Sequence, residues 1–569
     1  MSTPPRQPAI PPLPPGAVAE PASSLHFHTG SWRQQRPVHQ PRPAPCHAAC
    51  PAGEDPQAWL ALLQEGNSRG AWESLISANP FPAITGRVCP HPCEGSCNRG
   101  HYDAAVAIHA AERALGDAAL AAAWPCPGPE VAAHPLAVAV VGAGPAGLSA
   151  AWQLWRRGHR AVVFDARPEI GGLLRSAIAP YRLPRTLLEA ELGRLAALAI
   201  EFRLRQSLGR DVSLDELRSD FDAVILAVGA SQPRPWEVDG AVPADHRSAL
   251  AWLEEWISTG SLAAPRRAIL HGGGNTAVDL ARVLRHYGAQ VDVVTASGLP
   301  GTGPPEDCMA ALPREVKQAQ EEGVRFHPHA QVARLVLRGG QVRGAELSYL
   351  RKLPGEGGGT RRVSFEGTET LLEADAVISA TGEVVDPRGL ERLLEGEPFL
   401  RVDSGARVAG AQNVYAVGDA CGACGMVAAA VGQGRRAAEA IHREALGAGG
   451  PAELGPSIPY EALQLHYFDH QPRVEGRLLP PAERDLEREV EAGFAPAELA
   501  AEVGRCFSCG SCMRCDNCWT LCPDSAVLKT PAAGTDGSPY VFDLEYCKGC
   551  GICAVECPTG FIAMQRESG

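Results

Sequence analysis

Two groups of cysteines carry most of the chemistry that this sequence could perform. Of its 19 cysteines, ten lie between Cys506 and Cys557 and five lie between Cys46 and Cys97. In a chain of 569 residues with no recognisable secretory signal, cysteines this closely spaced indicate metal ligation rather than disulfides. The remaining four are Cys126, Cys308, Cys421 and Cys424.

The C-terminal cysteines form two runs of one spacing, Cys-x2-Cys-x2-Cys-x3-Cys-Pro. This is the bacterial ferredoxin pattern, in which each run gives three ligands to one 4Fe-4S cluster and its fourth ligand to the other. Zinc is the alternative for grouped cysteines, but two complete runs that both end in Cys-Pro favour iron-sulfur clusters. The predicted first cluster uses Cys512, Cys515, Cys518 and Cys557. The predicted second cluster uses Cys547, Cys550, Cys553 and Cys522.

A glycine-rich turn at residues 142–147 indicates a first dinucleotide site. It follows an apolar strand at residues 138–141 and opens an apolar helix, and a second strand ends at Asp165. Such glycines let the backbone approach a pyrophosphate, the helix N-terminus stabilises the phosphate charge, and the acid accepts a hydrogen bond from a ribose hydroxyl. The simpler alternative is a tight strand-helix turn. The predicted contacts are Gly142, Gly144, Pro145, Ala146, Gly147 and Asp165.

A second strand-turn-helix unit begins after residues 268–271 and predicts a nicotinamide site. Its next strand ends at Thr295, the position that Asp165 occupies in the first unit, and residues 296–300 contain no arginine. Because a 2'-phosphate normally requires such an arginine, we expect NADH rather than NADPH. The predicted contacts are Gly272, Gly274, Asn275, Thr276, Ala277 and Thr295.

Further strands end in glycine at Gly229 and Gly382, and a late strand ends in Gly418 and Asp419. A strand that ends in Gly-Asp commonly closes an FAD site, with the aspartate at the ribitol. We therefore predict that these four residues also contact the dinucleotides.

The elements that must position these motifs predict an α/β protein with several domains. The second dinucleotide unit lies inside the first, so we expect two nested Rossmann-like domains, a helical iron-sulfur domain before them and an α+β ferredoxin-like domain after them. The predicted domains are a Pro-rich extended arm (1–45), a helical 4Fe-4S domain (46–130), an FAD-binding domain in two parts (131–235 and 365–447), an NAD(H)-binding domain (236–364), a linker (448–505) and a ferredoxin-like domain (506–569).

Composition excludes several classes of partner. The net charge of −13 argues against nucleic acid, whose binding normally needs a basic patch. The longest apolar stretches are far shorter than the roughly 20 residues of a membrane span. The N-terminus is rich in proline and lacks the features of a secretory signal, so we expect a cytoplasmic protein.

Six segments, in their order along the chain, resemble the small (beta) subunit of glutamate synthase. The resemblance implies that the first site holds FAD and the second holds the nicotinamide, and it adds Gly172 and Leu173 to the FAD contacts. The second unit of that family usually carries Tyr-Arg-Arg after its strand, and the lack of it here also favours NADH. The matching segments are residues 85–93, 140–147, 171–174, 180–184, 272–279 and 416–419.

The same resemblance implies the ligands of the N-terminal clusters. One cluster in these proteins takes three cysteines and a Gln or Glu from the following helix, which implies the set Cys50, Cys89, Cys93 and Glu112. The Cys-x2-Cys pair of these relatives does not precede Cys46, whereas Arg505-Cys-Phe-Ser-Cys-Gly510 resembles it. A fourth cluster would then use Cys46, Cys97, Cys506 and Cys509, for about four 4Fe-4S clusters in all. Free thiols or a lost cluster are the alternatives.

Residues 28–38 resemble the Thr-Gly-Ser-Trp-Arg opening of the delta subunit of 2-oxoacid:ferredoxin oxidoreductases, which is itself a two-cluster ferredoxin. This implies an NAD-reducing, FAD-containing electron-transfer subunit of a CoA-dependent 2-oxoacid dehydrogenase complex, with thiamine-dependent subunits or ferredoxin as partners. The alternatives are a glutamate synthase small subunit, another NAD(P)H:ferredoxin-type oxidoreductase subunit, or a non-catalytic scaffold. Cys421 and Cys424 could form a redox disulfide beside FAD, although simple packing at a helix start is favoured.

Overall fold

The computed structural model describes residues 28–132, 134–236, 238–239, 242–243, 246–354, 360–422, 425–447, 454–531, 533–534 and 536–567. Most of the predicted N-terminal arm, and Cys424, lie outside these residues. The chain divides into two compact units. The larger unit comprises residues 45–454 and 470–506, and the smaller comprises 1–44, 455–469 and 507–569. In the part of the chain that the structure describes, no helix is long and apolar enough to cross a membrane.

The larger unit begins with short helices, as the sequence predicts. Asp55 and Asn67 cap two of them by accepting hydrogen bonds from backbone N–H groups three residues on, at 3.1 and 2.9 Å. The fourth helix packs closely on the sixth. The contact leaves no room for a side chain at Gly86, where an added Cβ would lie 2.5 Å from the backbone nitrogen of Arg113. These helices are α1 (Pro45–Ala49), α2 (Pro56–Gln64), α3 (Ser68–Ile76), α4 (Pro82–Val88), α5 (Pro92–Gly95) and α6 (Ile108–Ala121).

A five-stranded parallel sheet forms the first dinucleotide domain. Its strands are β2 (Ala137–Val141), β3 (Arg160–Asp165), β4 (Glu201–Leu204), β5 (Ala223–Leu226) and β16 (Val414–Ala416). They are arranged in the order β16-β5-β2-β3-β4, and the central strands are buried. Its helices are α7 (Pro145–Arg156), α8 (Leu173–Ser176), α9 (Arg185–Ala196), α10 (Leu214–Asp220), α14 (Glu391–Leu394) and α15 (Val427–Ala445).

A four-stranded parallel sheet of order β14-β7-β8-β9 forms the second dinucleotide domain. An antiparallel sheet is inserted in the chain between β9 and β14. A short antiparallel pair, β6 with β15, joins the two segments by which the chain passes between the domains. The parallel strands are β7 (Arg267–His271), β8 (Gln290–Thr295), β9 (Arg325–Pro328) and β14 (Ala376–Ser379). The antiparallel strands are β6 (Gln232–Pro233), β10 (Ala330–Arg338), β11 (Gln341–Pro354), β12 (Thr360–Ser364), β13 (Thr370–Glu373) and β15 (Glu383–Val384). The helices are α11 (Ala249–Thr259), α12 (Asn275–His286) and α13 (Pro313–Glu321).

The nesting of the two domains is confirmed, but one predicted boundary is wrong. Strand β14 pairs in parallel with β7, so the second domain continues to residue 379 rather than ending at 364. Apolar strands that end near a glycine occur in both domains, so only its pairing partner shows to which domain such a strand belongs. Residues 365–379 therefore belong to the nicotinamide half.

Residues His470–Cys506, which we name the strap, belong to the larger unit and contain helix α16 (Pro496–Val503). Its buried Glu502 accepts hydrogen bonds from the backbone of Ala107 at 2.7 Å and of Val474 at 2.8 Å. Glu489 forms an ion pair of 2.8 Å with Arg87 of α4. The predicted linker (448–505) is thus divided, since residues 455–469 belong to the smaller unit. Several of its charged side chains are buried in ion pairs, such as Arg484, Glu502 and Arg505.

The smaller unit combines the described part of the arm with the C-terminal domain. The arm contains a 3-10 helix at Thr29–Trp32 and then strand β1, which pairs antiparallel with the last strand, β19. The strands are β1 (Gln35–His39), β17 (Val527–Lys529), β18 (Tyr540–Phe542) and β19 (Ile562–Arg566), and the helices are α17 (Asn517–Thr520) and α18 (Ile552–Val555).

Candidate functional site

A cavity of about 780 Å³ lies in the larger unit where the two dinucleotide motifs face each other. Most of the cofactor contacts predicted from the sequence line it. They are Gly142, Gly144, Pro145, Ala146, Asp165, Gly172, Leu173, Gly229, Gly274, Asn275, Thr276, Gly382, Gly418 and Asp419. The volume and the two glycine turns fit an FAD with a nicotinamide dinucleotide beside it.

Two of the predicted glycines serve close packing rather than the cavity surface. A Cβ on Gly147 would lie 1.9 Å from the carbonyl oxygen of Gly142, and a Cβ on Gly272 would lie 2.1 Å from that of Ala380. Gly272 also has a φ of +152°. Gly147 therefore lets helix α7 lie close to the end of β2, and Gly272 lets the ends of β7 and β14 lie close together.

Asp165 is held at the cavity by the turn that it follows. Its carboxylate accepts hydrogen bonds from the backbone N–H of Ala143 at 2.6 Å and of Arg167 at 2.7 Å. These contacts orient the side chain at the end of β3, where a ribose hydroxyl is expected.

Thr295 occupies the corresponding position in the second domain and is buried. Its hydroxyl accepts a hydrogen bond from the backbone N–H of Ser297 at 3.3 Å. The guanidinium of Arg362 donates to the Ser297 hydroxyl at 3.3 Å. Arg362 lies on β12 and was missed by the sequence search for an arginine directly after β8, since it follows Thr295 by 67 positions.

The Gly-Asp end of β16 also closes the cavity. The side-chain oxygen of Gln433 accepts a hydrogen bond from the Gly418 backbone at 2.6 Å, which fixes the turn to α15. Burial raises the pKa of Asp419, and burial together with the nearby Asp419 raises the pKa of Glu383 in the same cavity. This end of the cavity therefore holds two acidic groups.

The structure brings together the four predicted ligands of the first N-terminal cluster. Burial raises the pKa of three thiols, those of Cys50, Cys89 and Cys93, and the charge of Glu112 raises each of these pKa values further. Burial also raises the pKa of Glu112 to about 8, and its carboxylate accepts a hydrogen bond from the Thr85 hydroxyl. Cluster ligation requires the thiolate form, so binding of a cluster at this buried site would release the thiol protons.

The remaining N-terminal cysteines belong to a set that stays a prediction. Cys46, Cys97 and Cys506 lie in the larger unit, whereas Cys509 lies in the smaller. Arg99, two residues after Cys97, donates to the backbone carbonyl of Arg505, and Gln64 donates to that of Cys506 at 3.3 Å.

Two small cavities in the smaller unit match the crossed ferredoxin sets. Their cysteine linings combine three residues of one run with the last cysteine of the other, as the spacing predicts. One is lined by Cys512, Cys515, Cys518 and Cys557. The other is lined by Cys547, Cys550, Cys553 and Cys522.

Among the described residues, no group of three His, Cys, Asp or Glu side chains is arranged to hold a single metal ion. The cysteine sets are candidates for clusters instead, in which each ligand binds a different iron atom.

Comparison with known proteins agrees with these sites. Residues 136–434 match the family model of the pyridine nucleotide-disulphide oxidoreductases. The chain belongs to this family. Residues 34–124 match the 4Fe-4S domain II of dihydropyrimidine dehydrogenase, and residues 540–563 match a 4Fe-4S binding domain. This oxidoreductase therefore has an α/β fold with an FAD-binding region and iron-sulfur domains at both ends.

Three curated proteins are similar to this oxidoreductase over most of its length. The glutamate synthase [NADPH] small chain of Escherichia coli is 34% identical over 70% of this chain and 87% of its own, which confirms the resemblance to that subunit. The NADP(+)-dependent formate dehydrogenase subunit beta of Moorella thermoacetica is 31% identical over 82% and 70% of the two chains. The NADPH-Fe(3+) oxidoreductase subunit beta of Geobacter sulfurreducens is 30% identical over 82% and 75%.

Sequence reasoning missed the residues that join the flavin cavity of this oxidoreductase to its first cluster site. Val88 and Pro90 line the cavity, and they flank the predicted cluster ligand Cys89. A Cβ on Gly432 of α15 would lie 1.9 Å from the carbonyl oxygen of Pro51, next to Cys50. The signal was present, because residues 85–93 form one of the segments that the sequence shares with glutamate synthase.

Cys421 follows Asp419 but has the properties of a packed thiol. Burial and the Asp419 charge raise its pKa to about 12, which disfavours the reactive thiolate. Its proposed partner, Cys424, lies outside the described residues.

Proposed function

We propose that this oxidoreductase is the NAD-linked electron-transfer subunit of a CoA-dependent 2-oxoacid dehydrogenase complex. It would carry electrons between its 4Fe-4S clusters and NAD(H) through FAD. The observation that carries the proposal is the smaller unit, in which the Thr-Gly-Ser-Trp-Arg segment and the ferredoxin-like domain form one compact body. These are the two parts that resemble the delta subunit of 2-oxoacid:ferredoxin oxidoreductases.

The arm and the ferredoxin-like domain are joined by specific contacts. All five residues of β1 pair with β19 in continuous register. Arg33 donates to the carbonyl oxygens of Leu544 and Cys547 and forms an ion pair of 2.7 Å with Glu567. The arginine of the motif thus contacts the backbone where the second cluster run begins, which supports treating the arm and the domain as one functional module.

The cavity wall supports electron exchange between a flavin and the N-terminal cluster site. When bound, FAD supplies the conversion between hydride transfer and single-electron transfer. The chain contributes by burying Cys89 between Val88 and Pro90, which both line the cavity.

We propose NADH as the preferred nicotinamide. Strand β8 ends at Thr295 and is followed by Ala296 and Ser297, none of which is charged. The curated relatives above are named for NADP(H), so this is where the chain is expected to differ from them. Arg362 reaches this turn through its bond to Ser297, and we propose it as the group that would meet a 2'-phosphate.

A second candidate is a glutamate synthase small subunit, which the 34% identity to the Escherichia coli small chain favours. That match covers 70% of this chain. The smaller unit, with its two ferredoxin-like cysteine sets, favours the 2-oxoacid complex instead.

The proposal is tested by isolating the tagged chain anaerobically from its own cells with its bound subunits. We expect a thiamine diphosphate-containing subunit, and reduction of NAD+ that requires both CoA and a 2-oxoacid. NADPH or NADH oxidation that requires glutamine and 2-oxoglutarate would instead identify the glutamate synthase candidate. Reduction driven by formate, without CoA, would also contradict the proposal.

A further inference from the structure

Two charged side chains from different dinucleotide domains meet in the wall of the flavin cavity. Arg182 precedes α9 in the first domain, and Asp279 lies on α12 in the second. Their side chains are 2.5 Å apart, from Nη1 to Oδ2. Arg182 is 9% exposed and Asp279 is 4% exposed, and both line the cavity.

The pair belongs to a buried network of ion pairs in which positive and negative side chains alternate. Arg182 Nε lies 3.4 Å from Glu315 Oε1, and Arg282 Nη1 lies 2.8 Å from Glu315 Oε2. Arg282 also forms an ion pair of 2.7 Å with Glu322, and Glu322 lies 3.3 Å from Arg484 of the strap. The network of ion pairs therefore extends from the first dinucleotide domain through the second to the strap.

Backbone and ring contacts reinforce the same junction. The Arg282 guanidinium lies over the Tyr181 ring, 4.3 Å from its centre. The Tyr181 carbonyl oxygen accepts a hydrogen bond from the Val490 backbone of the strap at 3.2 Å. Residues 181 and 182 are thus held by both the second domain and the strap.

A buried ion pair adds little net stability, because desolvation offsets its attraction, but breaking it by removing one partner is strongly unfavourable. Such a pair therefore selects one geometry and penalises others. Here the geometry that it selects is the orientation of the nicotinamide domain relative to the flavin domain. Reactions between bound groups depend steeply on this, since a misplacement of about 1 Å can lower the rate about 100-fold.

We propose that Arg182 and Asp279 are positioning residues that hold the two dinucleotide domains in one orientation for hydride exchange. In this arrangement both domains contribute residues to one cavity in the folded chain. The inference rests on membership of the oxidoreductase family and on the cavity. It does not depend on which substrate complex the chain serves.

Asp279→Asn tests the proposal, with Asp292→Asn as a matched control. Asp292 is 5% exposed and pairs with Arg325 at 2.6 Å and His327 at 2.8 Å, entirely within the second domain. Anaerobic flavin bleaching would be followed with whichever nicotinamide dinucleotide reduces the native holoprotein faster. Hydrogen exchange of residues 178–184 and 275–287 would report the domain junction independently of turnover.

We expect Asp279→Asn to slow flavin reduction about 10-fold or more, with FAD content retained and the half-saturating dinucleotide concentration changed less than about threefold. Exchange should rise at both reporting segments. Asp292→Asn should leave the rate within about twofold. The charge exchange R182D/D279R should recover at least part of the lost rate and protection, because it restores an opposite pair.

Three results would overturn the proposal. The first is equal slowing by Asp279→Asn and Asp292→Asn, which would indicate general destabilisation. The second is an unchanged rate and unchanged exchange in Asp279→Asn. The third is a large rise in half-saturating dinucleotide with an unchanged maximal rate, which would indicate direct dinucleotide binding. If Asp279→Asn loses FAD, the charge-exchange variant decides, and its failure to regain both FAD and rate counts against the pair.

Discussion

At the level of single residues, ligand sets that depend on local spacing were predictable, whereas contacts made across the fold were not. The crossed ferredoxin cysteines follow from two repeated runs, and each predicted set lines one cavity. Arg362 illustrates the opposite case, because it reaches Ser297 from a strand that lies far along the chain. No local pattern after β8 could have indicated that cation.

The choice of nicotinamide is the first prediction at this scale. We expect NADH to bleach the flavin faster than NADPH in stopped-flow experiments, because Thr295, Ala296 and Ser297 carry no charge of their own to bind a 2'-phosphate. Arg362→Ala should leave the NADH rate unchanged and should weaken the residual reaction with NADPH. Faster bleaching by NADPH in the native chain would show the NADH assignment to be wrong, and loss of that rate in Arg362→Ala would identify the responsible cation.

Glu191 provides a pH-dependent prediction. It is fully buried on α9, and its carboxylate accepts the Ile84 backbone N–H at 2.9 Å at the start of α4. Burial raises the pKa of Glu191 to about 8, above the value of about 4.3 expected in an unfolded chain. The folded chain therefore binds the extra proton, and its contribution to stability is complete at low pH and is lost as the pH rises towards 8.

Glu191→Gln cannot ionise, so this variant should not show that loss. We expect the melting temperature of the native chain, measured relative to Glu191→Gln, to fall between about pH 5 and pH 8. Comparing the two proteins cancels the other titrating groups. A constant difference in melting temperature between the two proteins across this pH range would contradict the raised pKa of Glu191.

At the level of elements, hydrophobic patterning predicted the strands and helices, but pairing decided to which domain a strand belongs. The strand at Ala376–Ser379 was foreseen, yet its parallel pairing with β7 moves it into the nicotinamide domain. The strap was interpreted as a linker because proline and charge predominate. Its side chains instead pair with buried groups of the helical and nicotinamide domains, such as Arg87 and Glu322, which composition alone does not reveal.

The arm gives a prediction at the element scale. A Cβ on Gly30 would lie 2.2 Å from the carbonyl oxygen of Leu544, and the Gly30 backbone donates to Glu545 at 2.8 Å. Gly30→Ala should therefore displace the arm and increase hydrogen exchange in β1 and β19. Gly455→Ala is the control, because its added methyl would meet nothing within 4 Å in the same unit.

Limited proteolysis of the same two variants provides a second measurement. Cleavage near residues 28–44 should accelerate in Gly30→Ala and remain at the native rate in Gly455→Ala. Equal protection in both variants would mean that the glycine of the motif does not determine arm docking.

At the level of the whole molecule, segments that are distant in sequence assemble into common bodies. Residues 28–44 and 507–567 are separated by the entire flavoprotein, yet they belong to one unit. Both segments resemble parts of one known subunit, whereas composition gives no sign that they associate. In the other unit, Val88 and Pro90 connect the cavity to the predicted cluster ligand Cys89, so the proposed electron route depends on contacts between domains that were recognised separately.

Total cofactor content tests the complete set of cluster assignments. The four predicted 4Fe-4S clusters correspond to about 16 iron and 16 sulfide per chain, with one FAD. We expect these values for anaerobically purified protein, measured by iron, sulfide and flavin analysis on one sample. Cys512→Ala should lower the iron content by the amount of one cluster without changing FAD, because this residue lines a cavity of the smaller unit. A native value near 12 iron would remove the set that includes Cys46 and Cys97, and would leave those residues as thiols without a cluster.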